Sequence, residues 1–294
     1  MEIVHRPLGF PRHDRLGEGP FWDQQDQALY WVDIVGRRAM RFEPAANAFR
    51  QWPLPSPCSF AAPTVRGDLM VALVDGLHRL DPETGETTPF ADPDNDPLNR
   101  SNDCKTDRDG CLWLGTMGNN VGAGGDTIPL PPFAGRLHRV RPDRSFQTLL
   151  TGIGISNALA FTPDHKRVTF ADTRRNTIWT FAIDEETGAL HDRRVLLEGG
   201  PGHPDGAAMD EDGFLWNARW GAGVVIRITP DGRIDRTLEV PAKQPSCCAF
   251  GGPDRRTLYV TSARQDLDQP READGALFVA DLDVRGMATP RFGG

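Results

Sequence analysis

Six short apolar strands recur along this chain at nearly even spacing, and that recurrence limits the folds open to it more than any other feature. They read ALYWVD, DLMVAL, CLWLGT, RVTFAD, FLWNAR and TLYVTS, and they align on Leu29, Leu69, Leu112, Val168, Leu215 and Leu258 at intervals of 40, 43, 56, 47 and 43 residues. Self-similarity at a period of about 20 to 50 residues marks a repeat architecture. Most of these strands follow a turn such as DRDG, TPDHK, DEDG or GPDRR, which suits a hairpin. Each is succeeded by a strand, a Pro/Gly/Asp turn and the start of another strand, as in GLHRLDPETGETTPF and VVIRITPDGRI. A unit therefore holds about four antiparallel strands, the content of one propeller blade. The expectation is an all-β chain, one domain over residues 1–294, folded as a six-bladed β-propeller with four-stranded antiparallel blades. The N-terminal MEIVHRP is expected to supply the outermost strand of the last blade and so close the ring, since an open sheet edge invites aggregation.

Composition narrows the partners. With 31 Gly and 25 Pro the chain has the turns that many short strands need. A net charge of −8 with no Lys/Arg-rich run argues against a nucleic-acid surface, which needs a positive field. No charged leader followed by an apolar stretch opens the sequence, and no apolar run reaches the length of a membrane span, so a soluble cytoplasmic protein, monomeric or weakly homo-oligomeric, is expected, with a small molecule as partner. The five cysteines, Cys58, Cys104, Cys111, Cys247 and Cys248, form an odd set without a CxxC pair. They read as reduced core residues rather than a disulfide framework or zinc ribbon.

The repeat also points to a site. In a propeller the first strand of each blade faces the central channel. Ten or eleven residues before the aligned Leu or Val stand Glu18, Ser59, Asn102, Asn157, Asp205 and Cys248, which should ring one mouth of that channel. Four of them, Glu18, Asn102, Asn157 and Asp205, carry metal-binding oxygen groups and come from four different blades. Glu18, Asn157 and Asp205 offer a hard divalent cation two charges and one neutral carbonyl, and three protein ligands leave positions for water and substrate. Taken singly, Asn102 or Asn157 is better explained as a turn cap. For Glu18 and Asp205 together the ligand reading is the better one, because two carboxylates at one mouth repel unless a positive charge lies between them.

The segments LGEGPFW, RSNDCKTDRDGCLWLGTM, SNALAFTPD, HPDGAAMDEDGFLW and CCAFGGPDRRTLYVTSAR resemble the signature stretches of the regucalcin (senescence marker protein) and gluconolactonase family, from about Leu16 to Arg264, and its bacterial sugar-lactonase branch in particular. The resemblance implies a six-bladed propeller that hydrolyses aldonolactones to aldonic acids with one divalent metal, Ca²⁺, Zn²⁺, Mn²⁺, Mg²⁺ or Fe²⁺, in its channel. It assigns the metal to Glu18, Asn157 and Asp205, the general base to Asp205, and sugar contacts to Arg100 and Asn102. Where relatives place a substrate-covering loop, sometimes with an acidic residue, this chain has GNNVGAGGDTIPLPPFAG, with Asn119 and Asn120 in that stretch; Asn120 is the expected substrate contact. Many relatives carry Gly where this chain has Cys104.

Other motifs carry less. GISNA lacks the final glycine of a nucleophile elbow and is followed by strand, turn and strand, so Ser156 is not expected to be a nucleophile. DPDNDPLNRSND imitates an EF-hand loop but lacks its glycine and closing glutamate. The seven His form no HExxH pattern. Two alternatives stay open on the sequence: a non-enzymatic propeller that binds metal or a partner, and a related propeller hydrolase acting on other esters.

Overall fold

The strand repeat becomes six antiparallel meanders, each with its strands in sequence order. The computed structural model describes residues 13–293. Blade 1 comprises β1 (Gly17–Asp23), β2 (Ala28–Asp33), β3 (Arg38–Glu43) and β4 (Ala48–Pro53); blade 2, β5 (Phe60–Pro63), β6 (Leu69–Leu73), β7 (Gly76–Leu80) and β8 (Thr87–Ala91). Blade 3 holds β9 (Asn99–Thr106), β10 (Leu112–Gly118), β11 (Gly135–Val140) and β12 (Phe146–Ile153); blade 4, β13 (Ser156–Phe161), β14 (Arg167–Asp172), β15 (Thr177–Ile183) and β16 (Leu190–Glu198). Blade 5 is β17 (His203–Met209), β18 (Leu215–Trp220), β19 (Val224–Ile228) and β20 (Ile234–Glu239), and blade 6 is β21 (Gln244–Gly251), β22 (Thr257–Ala263) and β23 (Phe278–Asp281). The sixth blade thus shows three strands among the described residues, and MEIVHRP lies outside them. The helical content among the described residues is a single 3₁₀ turn, Thr173–Arg175.

The first strand of every blade packs against the first strands of its two neighbours, β1 against β5, β5 against β9, and onward through β13, β17 and β21 back to β1. That closed ring makes the structure a six-bladed propeller. The six aligned strands of the sequence are the second strands, β2, β6, β10, β14, β18 and β22, and the channel lies one strand further in.

Local chemistry explains the hairpins. In DRDG, Asp107 Oδ1 accepts the Asp109 and Cys111 amides while Oδ2 accepts Trp113 Nε1 at 2.9 Å and Arg139 Nε at 2.7 Å. DEDG repeats the device: Asp210 binds the Asp212 and Phe214 amides, Trp216 Nε1 and Arg227 Nε. A buried carboxylate is tolerated where every lone pair finds a donor. The same tryptophans bind blade to blade. Trp113 packs edge-on against Phe161 of the next inner strand with centroids 5.2 Å apart, and Trp216 does the same to Phe250 at 5.8 Å. The core is accordingly a set of apolar layers between blades.

At the seam between blades 6 and 1, Trp22 stacks on Tyr259 at 5.6 Å, Leu16 bridges Ala263, and Ser246 Oγ donates to the Gly17 carbonyl. Beyond blade 6 the chain runs under the far ends of the inner strands. The Met287 amide donates to Met209 O, Arg291 forms a two-pronged pair with Asp23, Phe292 bridges Thr64, and the Gly293 amide reaches Gly110 O. This segment spans blades 5, 1, 2 and 3. An open cleft of about 40 Å³ lies between Met287–Pro290 and Lys105, Thr106 and Met209.

Candidate functional site

Glu18, Asn102, Asn157 and Asp205 lie within β1, β9, β13 and β17, near the ends opposite the segment that crosses beneath. Register explains why they share a level. Each stands four positions before the residue that faces the aligned Leu or Val: Trp22 with Leu29, Thr106 with Leu112, Phe161 with Val168, Met209 with Leu215. Ser59 obeys the same rule through Pro63 and Leu69. Cys248 does not. Phe250 faces Leu258 across a longer hairpin, so Ser246 is the equivalent position in blade 6, and Cys248 packs in the core with its thiol toward Trp216 O at 3.3 Å. Counting back from the second strand missed this because the hairpin length is not constant.

A second feature leaves no sign in the sequence. Five of the six inner strands carry a bulge at this level, falling between Glu18 and Phe21, at Asn102 and Asp103, between Asn157 and Ala160, at Asp205 and Gly206, and at Ser246. A bulge bends its strand and re-aims a side chain. Gly19 and Ala158, just after two of the site residues, take the left-handed backbone that such a kink needs, at φ 55° each. At Gly206 the reason for glycine is space, since a Cβ there would stand 2.1 Å from Cys247 Sγ.

Arg100, Asn102, Asn120 and Asn157 form one connected set. Arg100 is buried and donates from Nε and Nη2 to Asn120 Oδ1 at 3.1 and 2.9 Å, and from Nη1 to Ser101 O and Asn102 Oδ1, both at 2.8 Å. Asn102 Nδ2 in turn donates to Ser156 O at 2.8 Å and approaches Asn157 Oδ1 at 3.4 Å. Asn157 Nδ2 donates to Thr173 Oγ1 at 2.8 Å, which directs the amide oxygen to the other side. Glu18 Oε2 accepts the Gly19 amide at 2.9 Å. Neither Glu18 nor Asp205 forms an ion pair with a described Lys, Arg or His within 4.0 Å, whereas the surface and turn carboxylates do so repeatedly.

Burial pushes the Glu18 carboxyl up to about 8, with Asp103 adding repulsion and the Gly19 amide, Arg100 and Lys105 opposing. Asp205 is raised well above the carboxylate range by burial first, then by Glu18 and Asp103. Asp103 rises to about 6, again by burial, held back by Lys105. Burial brings Arg100 down to about 10 against the pull of Glu18 and Asp205. Two desolvated carboxylates and one oriented amide oxygen form an all-oxygen donor set of the kind a hard divalent cation takes. No group of three or more His, Cys, Asp or Glu converges among the described residues.

Above this set runs the long connection between β10 and β11, residues 119–134. From blade 3 it reaches blades 1 and 6: Arg15 donates to Gly125 O and Arg37 to Ala123 O, both at 2.7 Å, and Thr127 Oγ1 donates to Asp266 Oδ2 at 2.7 Å. At its other end Phe133 lies under the guanidinium groups of Arg174 and Arg175. Asn120 stands at its start with Oδ1 taken by Arg100. Asn119 turns inward on the loop, accepting the Val121 amide at 3.0 Å.

Residues 16–264 match the SMP-30/Gluconolactonase/LRE-like region. The chain belongs to this family. Among curated members it is 33% identical to a 6-deoxy-6-sulfogluconolactonase of Pseudomonas putida, covering 95% of each chain. It is 35% identical to a pentonolactonase of Haloferax volcanii, over 95% of this chain and 94% of that protein. In three dimensions it superposes on a regucalcin of Agrobacterium tumefaciens, described as a calcium-binding protein, with a TM-score of 0.90 and 33% identity over 99% of this chain and 98% of that one. The family's extent takes in Glu18, Arg100, Asn102, Asn120, Asn157 and Asp205. The expected family resemblance and propeller are therefore both correct.

The cysteines are all free and buried, as expected of core residues. Ser156 is fully buried within β13, with no helix following it. No helix among the described residues is long and apolar enough to cross a membrane.

Proposed function

We propose that this chain hydrolyses a sugar (aldono) lactone to the aldonic acid, using one divalent cation held by Glu18, Asn157 and Asp205. The observation that carries the reading is the Glu18 and Asp205 pair: two desolvated carboxylates, each raised, with no described cationic side chain paired to either. Such a pair is stabilised by a cation between its members and is otherwise costly. Asn157 supports the same reading, since the Thr173 contact leaves its Oδ1 with only the 3.4 Å approach of Asn102. The names of the family relatives support a sugar lactone as substrate.

When bound, the cation supplies Lewis-acid polarisation of the lactone carbonyl. The chain's own residues do the rest. Asp205 takes the proton of the attacking water as general base, and that proton leaves with the ring oxygen when the acyl C–O bond breaks. Arg100 and Asn102 contact the sugar, and the bonds of Arg100 to Asn102 and Asn120 set both amides at the mouth. Asn120 Nδ2, which makes no hydrogen bond among the described residues, donates to a sugar oxygen. The loop over residues 119–134 excludes water and shapes the substrate space. In this reading the whole chain acts as a single propeller domain.

The test is hydrolysis of a panel of γ- and δ-lactones by chelator-stripped protein resupplied in turn with Ca²⁺, Zn²⁺, Mn²⁺, Mg²⁺ and Fe²⁺. Activity on at least one sugar lactone, lost on stripping and restored by an ion, is the expected result. Turnover of simple esters alone would move the assignment to another ester hydrolase. No turnover with any pairing would leave a binding propeller.

A further inference from the structure

Asn102 and Asp103 are the two residues of the β9 bulge, opposite Gly115 alone, because Ser101 pairs with Thr116 and Cys104 with Leu114. Both side chains cross to blade 4. Asn102 Nδ2 donates to Ser156 O at 2.8 Å, and Asp103 Oδ2 accepts the Leu159 amide at 2.8 Å. The two grips fall on either side of Asn157. β13 needs the second one: Asn157 pairs with Ala171 and Ala160 with Thr169, so Ala158 and Leu159 share one partner and the ladder is broken there. Leu159 is fully buried, and an amide released from its ladder in such a place requires an acceptor. Asp103 provides it. Gly115 makes the approach possible, since a Cβ at that position would meet Ser156 Oγ at 2.4 Å and Asp103 O at 3.0 Å.

We propose that Asp103 is a positioning residue for the cation site: with Asn102 it clamps residues 156–159 across the blade boundary and so sets where Asn157 Oδ1 stands. The inference rests on Asn157 being a ligand, as proposed above. Its action is mechanical, through the Leu159 amide. A carboxylate at this place also adds negative charge near Glu18 and Asp205, and the experiment separates the two effects.

Mn²⁺ affinity of the stripped protein is measured by calorimetry for wild type, Asp103→Asn, Asp103→Ala, Asn157→Ala and the Asp103→Ala/Asn157→Ala double variant, with thermal melting of each stripped form. Loss of a residue that orients a ligand typically weakens metal binding about 10- to 100-fold. Asp103→Ala is expected to show that loss, while Asp103→Asn, which keeps an acceptor oxygen in place, stays within a few-fold of wild type. In the Asn157→Ala background, Asp103→Ala should have no further effect, because there is no ligand left to position. The proposal is overturned if Asp103→Ala binds Mn²⁺ like wild type, if Asp103→Asn is as weak as Asp103→Ala, or if the alanine substitution is equally harmful without Asn157. Wild-type affinity in Asn157→Ala itself would instead sink the ligand assignment and the proposal with it. Should Asp103→Ala not fold, Asp103→Ser, too short to reach Leu159, takes its place in the same comparison.

Discussion

Asn157 Nδ2 donates to Thr173 Oγ1 at 2.8 Å, and the same hydroxyl donates to Pro204 O at 2.8 Å, the residue immediately before Asp205. One hydroxyl therefore orients an amide of blade 4 and holds the backbone that carries a carboxylate of blade 5. Thr173→Val removes both bonds at nearly constant volume, and Thr173→Ser keeps them. The valine variant should bind the divalent cation about tenfold more weakly, with the serine variant close to wild type, as read by calorimetric titration of the stripped proteins.

Asp205→Asn keeps the size of the side chain and removes both its charge and its basic oxygen. Loss of general-base assistance alone is worth about 10²- to 10⁴-fold in rate. The kcat of this variant under saturating metal, with the fold checked by circular dichroism, should fall by that range. A value within a few-fold of wild type would remove Asp205 from the role of base.

Stability of the metal-free protein should depend on pH in a direction set by Glu18. Its carboxyl stands at about 8 in the fold against an ordinary 4.5, raised first by burial, and Asp205 is raised as well. The folded state then holds these protons more tightly than the unfolded chain. Their contribution is fully present below about 4.5 and is lost as pH rises through about 8. Melting temperature in chelator should fall across that window, and Glu18→Gln should flatten part of the fall. Added divalent cation should raise the melting temperature more at pH 8 than at pH 5.

Asn120 gives the loop over residues 119–134 its contact with Arg100, so Asn120→Ala should act on binding more than on chemistry. An increase of KM by several-fold with kcat changed less than that is expected from steady-state kinetics on the best lactone. Asp266→Ala, which removes the Thr127 partner at the opposite rim, should shift KM in the same direction by a smaller factor.

The fold was legible because the hydrophobic pattern repeats with the period of the blade, and the aligned Leu and Val positions are all buried second-strand residues. That four positions of the candidate site share one level was legible for the same reason: hairpins of nearly constant length keep Glu18, Asn102, Asn157 and Asp205 in register. What could not be read was local. Ser246 was hidden by a longer hairpin, and the bulges leave no periodic mark, because one extra residue per strand looks like ordinary variation in spacing. The pairing of Asp103 with Leu159 joins residues 56 positions apart through a backbone amide, which has no residue-type signature.

The segment from Arg285 to Gly293 binds the far ends of β1, β5 and β17. Among the described residues, that end of the channel is bridged by this segment, and the connection over residues 119–134 lies at the other end. If a lactone enters and its aldonate leaves past residues 119–134, product still in the site excludes the next lactone. Accumulating product should therefore slow turnover as a competitive inhibitor, and the opening of the loop, rather than bond cleavage, would set the ceiling on rate for a reactive lactone.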